Sequence, residues 1–117
     1  MPNLSETKLS IVILNYNTKE LVLDCLTSIK NSQDIDFVIK VIVVDNASTD
    51  NSAEELKKLS WITLIENSTN VGFAKGNNLA LNEIEGDYVW FLNPDTVVEP
   101  NTISFMVSYM DEHPDVG

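Results

Sequence analysis

One cysteine in the whole chain, Cys25, excludes an intrachain disulfide framework. It shares a helical face with Val22, Leu26 and Ile29, which reads as a plain core thiol. Basic residues are scarce as well, seven against eighteen acidic, for a net charge of −11. Such a charge repels nucleic-acid backbones and anionic membrane surfaces, so no nucleic-acid partner is expected. No apolar run approaches the roughly 20 residues of a membrane span, so no transmembrane segment is expected in this chain. No apolar stretch of the signal-peptide kind precedes Leu9. The expected location is therefore the cytoplasm, at the inner face of the membrane for a full-length protein. Glycine cradles are missing too, with neither G-x-G-x-x-G nor G-x-x-x-x-G-K-[ST] present. Without a cradle or a basic cluster, a bound diphosphate would need a divalent cation to offset its charge.

What is present alternates strand-like and helix-like segments joined by short polar turns, the pattern of an α/β fold. The expectation is a Rossmann-like, mostly parallel sheet with helices on both faces. There is no internal repeat, and 117 residues hold one domain with one core. Leu9 to Leu14 reads as the first strand, ending on Asn15-Tyr16-Asn17. Thr18 is placed to cap a helix from Lys19 to about Asn31. Phe37 to Val44 is a second buried strand ending on Asp45. Ser52 with Glu55 fits a capping box for a helix to about Leu59. Ile62 to Ile65 is a shorter strand, and Glu66 to Gly76 reads as a polar loop before a helix from Asn77 to Ile84. Tyr88 to Leu92 is the fourth strand, and Glu99-Pro100 opens a last helix through Met110. The closing Val116-Gly117 reads as the opening of another strand, so the chain is expected to be a fragment.

Three strand ends deliver polar groups: Asn15 to Asn17, Asp45 with Asn46, and Asn93 with Asp95. Parallel strands present their C-terminal ends on one side, so these groups converge on one sheet edge, where open α/β sheets bind ligands. Taken singly, each has an ordinary alternative as turn chemistry. Asp95 is the first candidate for chemistry, a hard oxygen ligand for Mg²⁺ or Mn²⁺. A receiver domain is disfavoured because Asn15-Tyr16-Asn17 lacks the paired acidic patch that receivers carry after the first strand.

Four motifs in order, Asn15-Tyr16-Asn17, Val43-Val-Asp-Asn-Ala-Ser-Thr-Asp50, Asn70-Val-Gly-Phe-Ala-Lys-Gly-Asn-Asn78 and Phe91-Leu-Asn-Pro-Asp-Thr96, closely resemble family 2 glycosyltransferases. They look most like the branch that contains bacterial rhamnosyltransferases, and the resemblance runs from about Lys8 to the end. It implies a truncated type A glycosyltransferase fold that binds a nucleoside-diphosphate sugar, dTDP- or UDP-linked, with Mn²⁺ or Mg²⁺ as cofactor. It also implies transfer to a hydroxyl of a glycan or lipid-linked acceptor, in polysaccharide or cell-surface glycan synthesis. Carried over residue by residue, Asn15, Tyr16 and Asn17 border the nucleotide and Asp45 meets the base. Asn70, Gly72, Lys75 and Asn78 lie along the nucleotide.

The family's Asp-x-Asp motif falls on Asn93-Pro94-Asp95, with Asn93 in place of the first Asp. Asn93 can hydrogen-bond a ribose hydroxyl or metal-bound water but brings no charge, which leaves Asp95 as the charged metal ligand. The general base of this family usually lies in its C-terminal, acceptor-binding half. Asp111, Glu112 and His113 are the only late candidates here, and they match no motif. From the residues alone, a non-catalytic nucleotide-sugar-binding or regulatory module stays open as a second reading.

Overall fold

The computed structural model describes residues 6–115. The Val116-Gly117 pair lies outside the described residues. Eight principal elements follow one another as β1 (Leu9–Asn15), α1 (Lys19–Lys30), β2 (Ile39–Asp45), α2 (Ser52–Leu56), β3 (Thr63–Glu66), α3 (Phe73–Leu79), β4 (Tyr88–Leu92) and α4 (Thr102–Glu112). A 3₁₀ turn at Leu81–Glu83 extends α3.

The strands form one sheet of order β3-β2-β1-β4, and every pairing is parallel. The expected mostly parallel sheet is thus wholly parallel among the described residues. Alternation along the central strands divides the core in two, since successive strand side chains point to opposite faces. Leu9, Ile11 and Ile13 of β1 with Val41 and Val43 of β2 pack against Val22, Cys25, Leu26 and Ile29 of α1, Leu56 of α2, and Ile103 and Val107 of α4. On the other face, Val12, Ile42 and Val44 meet Ala80 and Ile84 beside α3. Helices therefore cover both faces, but unequally. The smaller layer leaves Val89 and Phe91 of β4 exposed.

Strand and helix placement follows the apolar pattern, with differences at the ends. The helix expected at Asn77 starts instead at Phe73, so the glycine that opens it is Gly72 and not Gly76. Gly76 lies buried inside α3, where a Cβ would come within 2.7 Å of a Leu14 methyl, so the absent side chain lets the helix sit close on β1. The Ser52/Glu55 capping box does not form. Ser52 is already inside α2, behind a left-handed Asn51, and its hydroxyl donates to Asp50. Thr18 holds the N-cap position of α1, yet its hydroxyl turns back to Asn15 Oδ1.

Candidate functional site

The strand order creates the site. From β1 the chain steps outward to β2 and β3, then returns past β1 to place β4 on its other side. That reversal is a topological switch point, and the crevice beyond the C-terminal ends of β1 and β4 is where such sheets take ligands. Register puts Asn15 opposite Asp45 and Ile13 opposite Leu92, so the turns after β1, β2 and β4 open on the same edge. Tyr16 and Asn17 follow β1 at this edge, and Asn93 and Asp95 follow β4. All four are exposed.

Beneath them lies a buried polar floor. Asn15 has no exposed surface, and its Nδ2 donates to Asp45 Oδ1 at 2.8 Å and to Ser48 Oγ at 3.3 Å. Asp45, 2% exposed, also accepts from the Ser48 hydroxyl at 2.7 Å and the Ser48 N–H at 3.2 Å. Asn17 sits at φ 53°, a left-handed conformation that asparagine tolerates. Its Oδ1 accepts from the Thr49 N–H at 2.7 Å, which zips the β1 turn to the β2 loop. Asp50 completes the seam, accepting from the Lys19 N–H at 3.0 Å and the Ser52 N–H at 3.0 Å. Burial pushes the Asp50 carboxyl up, but the Ser52 hydroxyl and then these backbone donors outweigh it and hold it below the usual carboxylate range. Much of the polar run 45–50 is therefore turn and capping chemistry that shapes the edge.

The third side is the loop between β3 and α3. Asn70 Oδ1 accepts from Asn46 Nδ2 at 2.9 Å and from the Gly72 N–H at 2.8 Å. Gly72, at φ +84° and ψ 174°, caps α3 in a conformation open almost only to glycine. Lys75 and Asn78 are exposed on α3. Asn46 reads in the sequence only as a strand-end neighbour of Asp45, yet it is buried at 2% exposure and bonds residues 67–72 of the loop. A shallow cleft of about 30 Å³ between α3 and β4 is lined by Leu14, Phe73, Asn77, Phe91 and Asn93.

Two other regions are separate from this edge. A concavity of about 560 Å³ lies at the opposite, N-terminal edge, lined in part by Glu6, Lys8, Asp36, Glu85 and Asp87. Its acidic lining opposes a diphosphate, and no strand C-terminus reaches it. Asp111 belongs to the same end, paired with Lys8 at 2.9 Å and accepting from the Tyr88 hydroxyl at 2.6 Å. His113 stacks on Tyr109 with ring centroids 4.1 Å apart. Among the described residues, Asp111 is thus tied to the starts of β1 and β4, a strand's length from the crevice.

No cluster of three metal-ligating side chains occurs among the described residues. The edge nevertheless suits a cation held by one carboxylate, since Mg²⁺ and Mn²⁺ bound with phosphates take few protein ligands and fill their shells with phosphate oxygens and water. Exposed Asp95 beside Asn93 offers that donor set.

Fold and edge together define a parallel α/β ligand-binding domain of the type A glycosyltransferase fold. The chain belongs to the glycosyl transferase family 2, whose model matches residues 10–117. It is similar to the teichoic acid poly(glycerol phosphate) polymerase of Staphylococcus epidermidis, 36% identical over 84% of this chain and 14% of that protein. The crystal structure of S. aureus TarS 1–349 in complex with UDP-GlcNAc superposes with a TM-score of 0.84 at 27% identity, over 92% of this chain and 32% of that one. A mannosyltransferase from Pyrobaculum calidifontis, in complex with GDP-Man and Mn²⁺, shares the fold with a TM-score of 0.80 at 23% identity, over 94% of this chain and 34% of that one. The chain thus spans about a third or less of the length of these relatives. No helix among the described residues is long and apolar enough to cross a membrane.

Proposed function

We propose that the chain is the donor-binding part of a glycosyltransferase that moves a sugar from a dTDP- or UDP-linked donor to a hydroxyl of a glycan or lipid-linked acceptor. The observation that carries this reading is the switch point between β1 and β4, at whose C-terminal edge Tyr16, Asn17, Asn93 and Asp95 follow the strands, in a family 2 chain. The S. aureus neighbour in complex with UDP-GlcNAc supports the nucleotide class. A rhamnosyltransferase-like donor preference rests on the motif resemblance, and synthesis of a cell-surface polymer on the teichoic acid relatives. The small share of the relatives that this chain spans supports placing the acceptor site and the general base outside it, whereas a cytoplasmic location at the inner membrane face rests on the sequence reading alone.

In this reading Asp45, on its buried floor, and Tyr16, exposed above it, receive the base. Asn93 hydrogen-bonds the ribose or a metal-bound water. Lys75 meets the diphosphate as a point charge. Asp95 holds a divalent cation, which supplies positive charge against the departing nucleoside diphosphate. Asn15, Asn70 and Gly72 keep the walls in place, and Asn78 extends the α3 wall.

Calorimetric titration of UDP and dTDP, with and without Mn²⁺, tests the reading. Binding is expected to require the metal and to weaken at least about tenfold in Asp95→Ala, the loss of one charged metal ligand. Metal-independent binding unchanged by Asp95→Ala would overturn the metal role, and no binding of either nucleotide would overturn the donor site in this chain.

A further inference from the structure

The loop that forms one wall of the crevice is tied to β2 by the Asn67 N–H, which donates to the Asp45 carbonyl at 2.9 Å, and otherwise, among the described residues, by the side chain of Asn46. Asn46 follows the last residue of β2, and its own N–H donates to the Asn15 carbonyl at 2.9 Å, which anchors it to β1. Its amide then spends every hydrogen-bonding position on residues 67–72. Oδ1 accepts from Asn67 Nδ2 at 3.1 Å and from the Val71 N–H at 3.0 Å. Nδ2 donates to Asn70 Oδ1 at 2.9 Å and to the Gly72 carbonyl at 3.3 Å.

Two donors and two acceptors on one short, planar group are what a primary amide offers and a carboxylate or hydroxyl does not. Glutamine has the chemistry but one methylene too many for a site that is 2% exposed and bordered by Gly76, where a Cβ would lie 3.4 Å from Nδ2. The side chain does not reach the crevice. Its effect passes through Asn70 and Gly72, which set the wall and the start of α3.

We infer that Asn46 is a positioning residue for the donor pocket, pre-forming the 67–72 wall before nucleotide arrives. This rests on the donor-binding reading above. Pre-formation matters because a loop ordered only on binding charges its ordering entropy against affinity.

The test uses Asn46→Ala and Asn46→Asp beside the unmodified chain, with folding checked by circular dichroism. In Asn46→Ala, amide exchange read by NMR at Val71 and Gly72 is expected to speed up at least about tenfold, while amides inside β1 and β2 keep their rates. UDP affinity in the presence of Mn²⁺ falls by about the same factor. Asn46→Asp supplies a signature that simple loss of stability does not. An ionised carboxyl faces two oxygens, Asn70 Oδ1 and the Gly72 carbonyl, whereas its protonated form restores one donor and keeps the acceptor.

The deficit of Asn46→Asp in UDP affinity, taken as a ratio to the unmodified chain at each pH, is therefore expected to shrink from pH 8 to pH 5. Unchanged exchange at Val71, unchanged UDP affinity in a folded Asn46→Ala, or a deficit independent of pH would each overturn the inference. An unmodified chain that binds no UDP, with the exchange contrast intact, would instead defeat the donor reading and reduce Asn46 to a structural clasp.

Discussion

Asp50 shows how one side chain can serve two helices. Its carboxylate takes the Lys19 N–H at the start of α1 and the Ser52 N–H at the start of α2, donors that otherwise lack intrahelical partners. Replacement by Ala is expected to cost about 1–2 kcal/mol in urea denaturation, the usual range for a lost N-cap acceptor. The pH dependence follows from the lowered folded-state pKa. A carboxyl depressed on folding stabilises above its unfolded value near 3.9, and the contribution disappears as pH falls through the lower folded value. Thermal melts of Asp50→Asn are thus expected to decline less steeply below about pH 4 than those of the unmodified chain. Gly86 gives a second residue-scale prediction. At φ +94° a Cβ would lie 2.5 Å from the Thr7 carbonyl oxygen and 2.8 Å from that of Lys8, both backbone atoms. Gly86→Ala should cost about 2–3 kcal/mol in the same denaturation assay, because neither the torsion nor the neighbours can yield cheaply.

Among the elements, α1 and α3 mark the limits of what the sequence discloses. The α1 stripe of Val22, Cys25, Leu26 and Ile29 is legible from its spacing, and all four side chains are buried. Leu26→Ala is accordingly expected to cost about 2–5 kcal/mol in urea denaturation, the transfer and cavity cost of a buried leucine. Burial, with the negative charge of Asp95 adding to it, also pushes the Cys25 thiol up to about 11. Native protein at pH 8 should therefore resist iodoacetamide, and labelling should appear with unfolding.

α3 was partly hidden because its middle argues against a helix. Phe73 is 68% exposed, and Gly76 with the two asparagines after it weakens a propensity that Ala74, Lys75 and Leu79 favour. Tertiary contacts decide it instead, through the Asn46 amide and the fit of Gly76 on Leu14. The same reason kept Asn46 obscure, since its side-chain partners lie 21 to 26 positions away. The strand-end groups were legible because each closes an apolar run. The strand order that brings β1 and β4 together was not, because pairing leaves no local trace in a sequence.

For the whole molecule, the charge balance decides how stability answers to salt. A net charge of −11 on 117 residues means self-repulsion across the surface. Opposing it are ion pairs such as Lys8–Asp87, Lys40–Glu83 and Lys58–Glu55, in which the carboxylate partners are 40% exposed or more. Exposed pairs of this kind contribute about 0–1 kcal/mol each and are themselves weakened by salt. Repulsion among unpaired carboxylates acts over longer distances, and a Debye length shrinking from roughly 30 Å at 0.01 M to 10 Å at 0.1 M removes it first. The melting temperature is therefore expected to rise between 10 and about 200 mM NaCl, and to rise equally in Asp95→Ala, which removes only one charge of eighteen. Mn²⁺ with UDP at matched ionic strength should separate the two proteins, because a ligand that binds only the folded state raises its stability by mass action. A melting temperature that falls with NaCl would show that the ion pairs outweigh the repulsion, and an equal response to Mn²⁺ with UDP would show that Asp95 does not hold the cation.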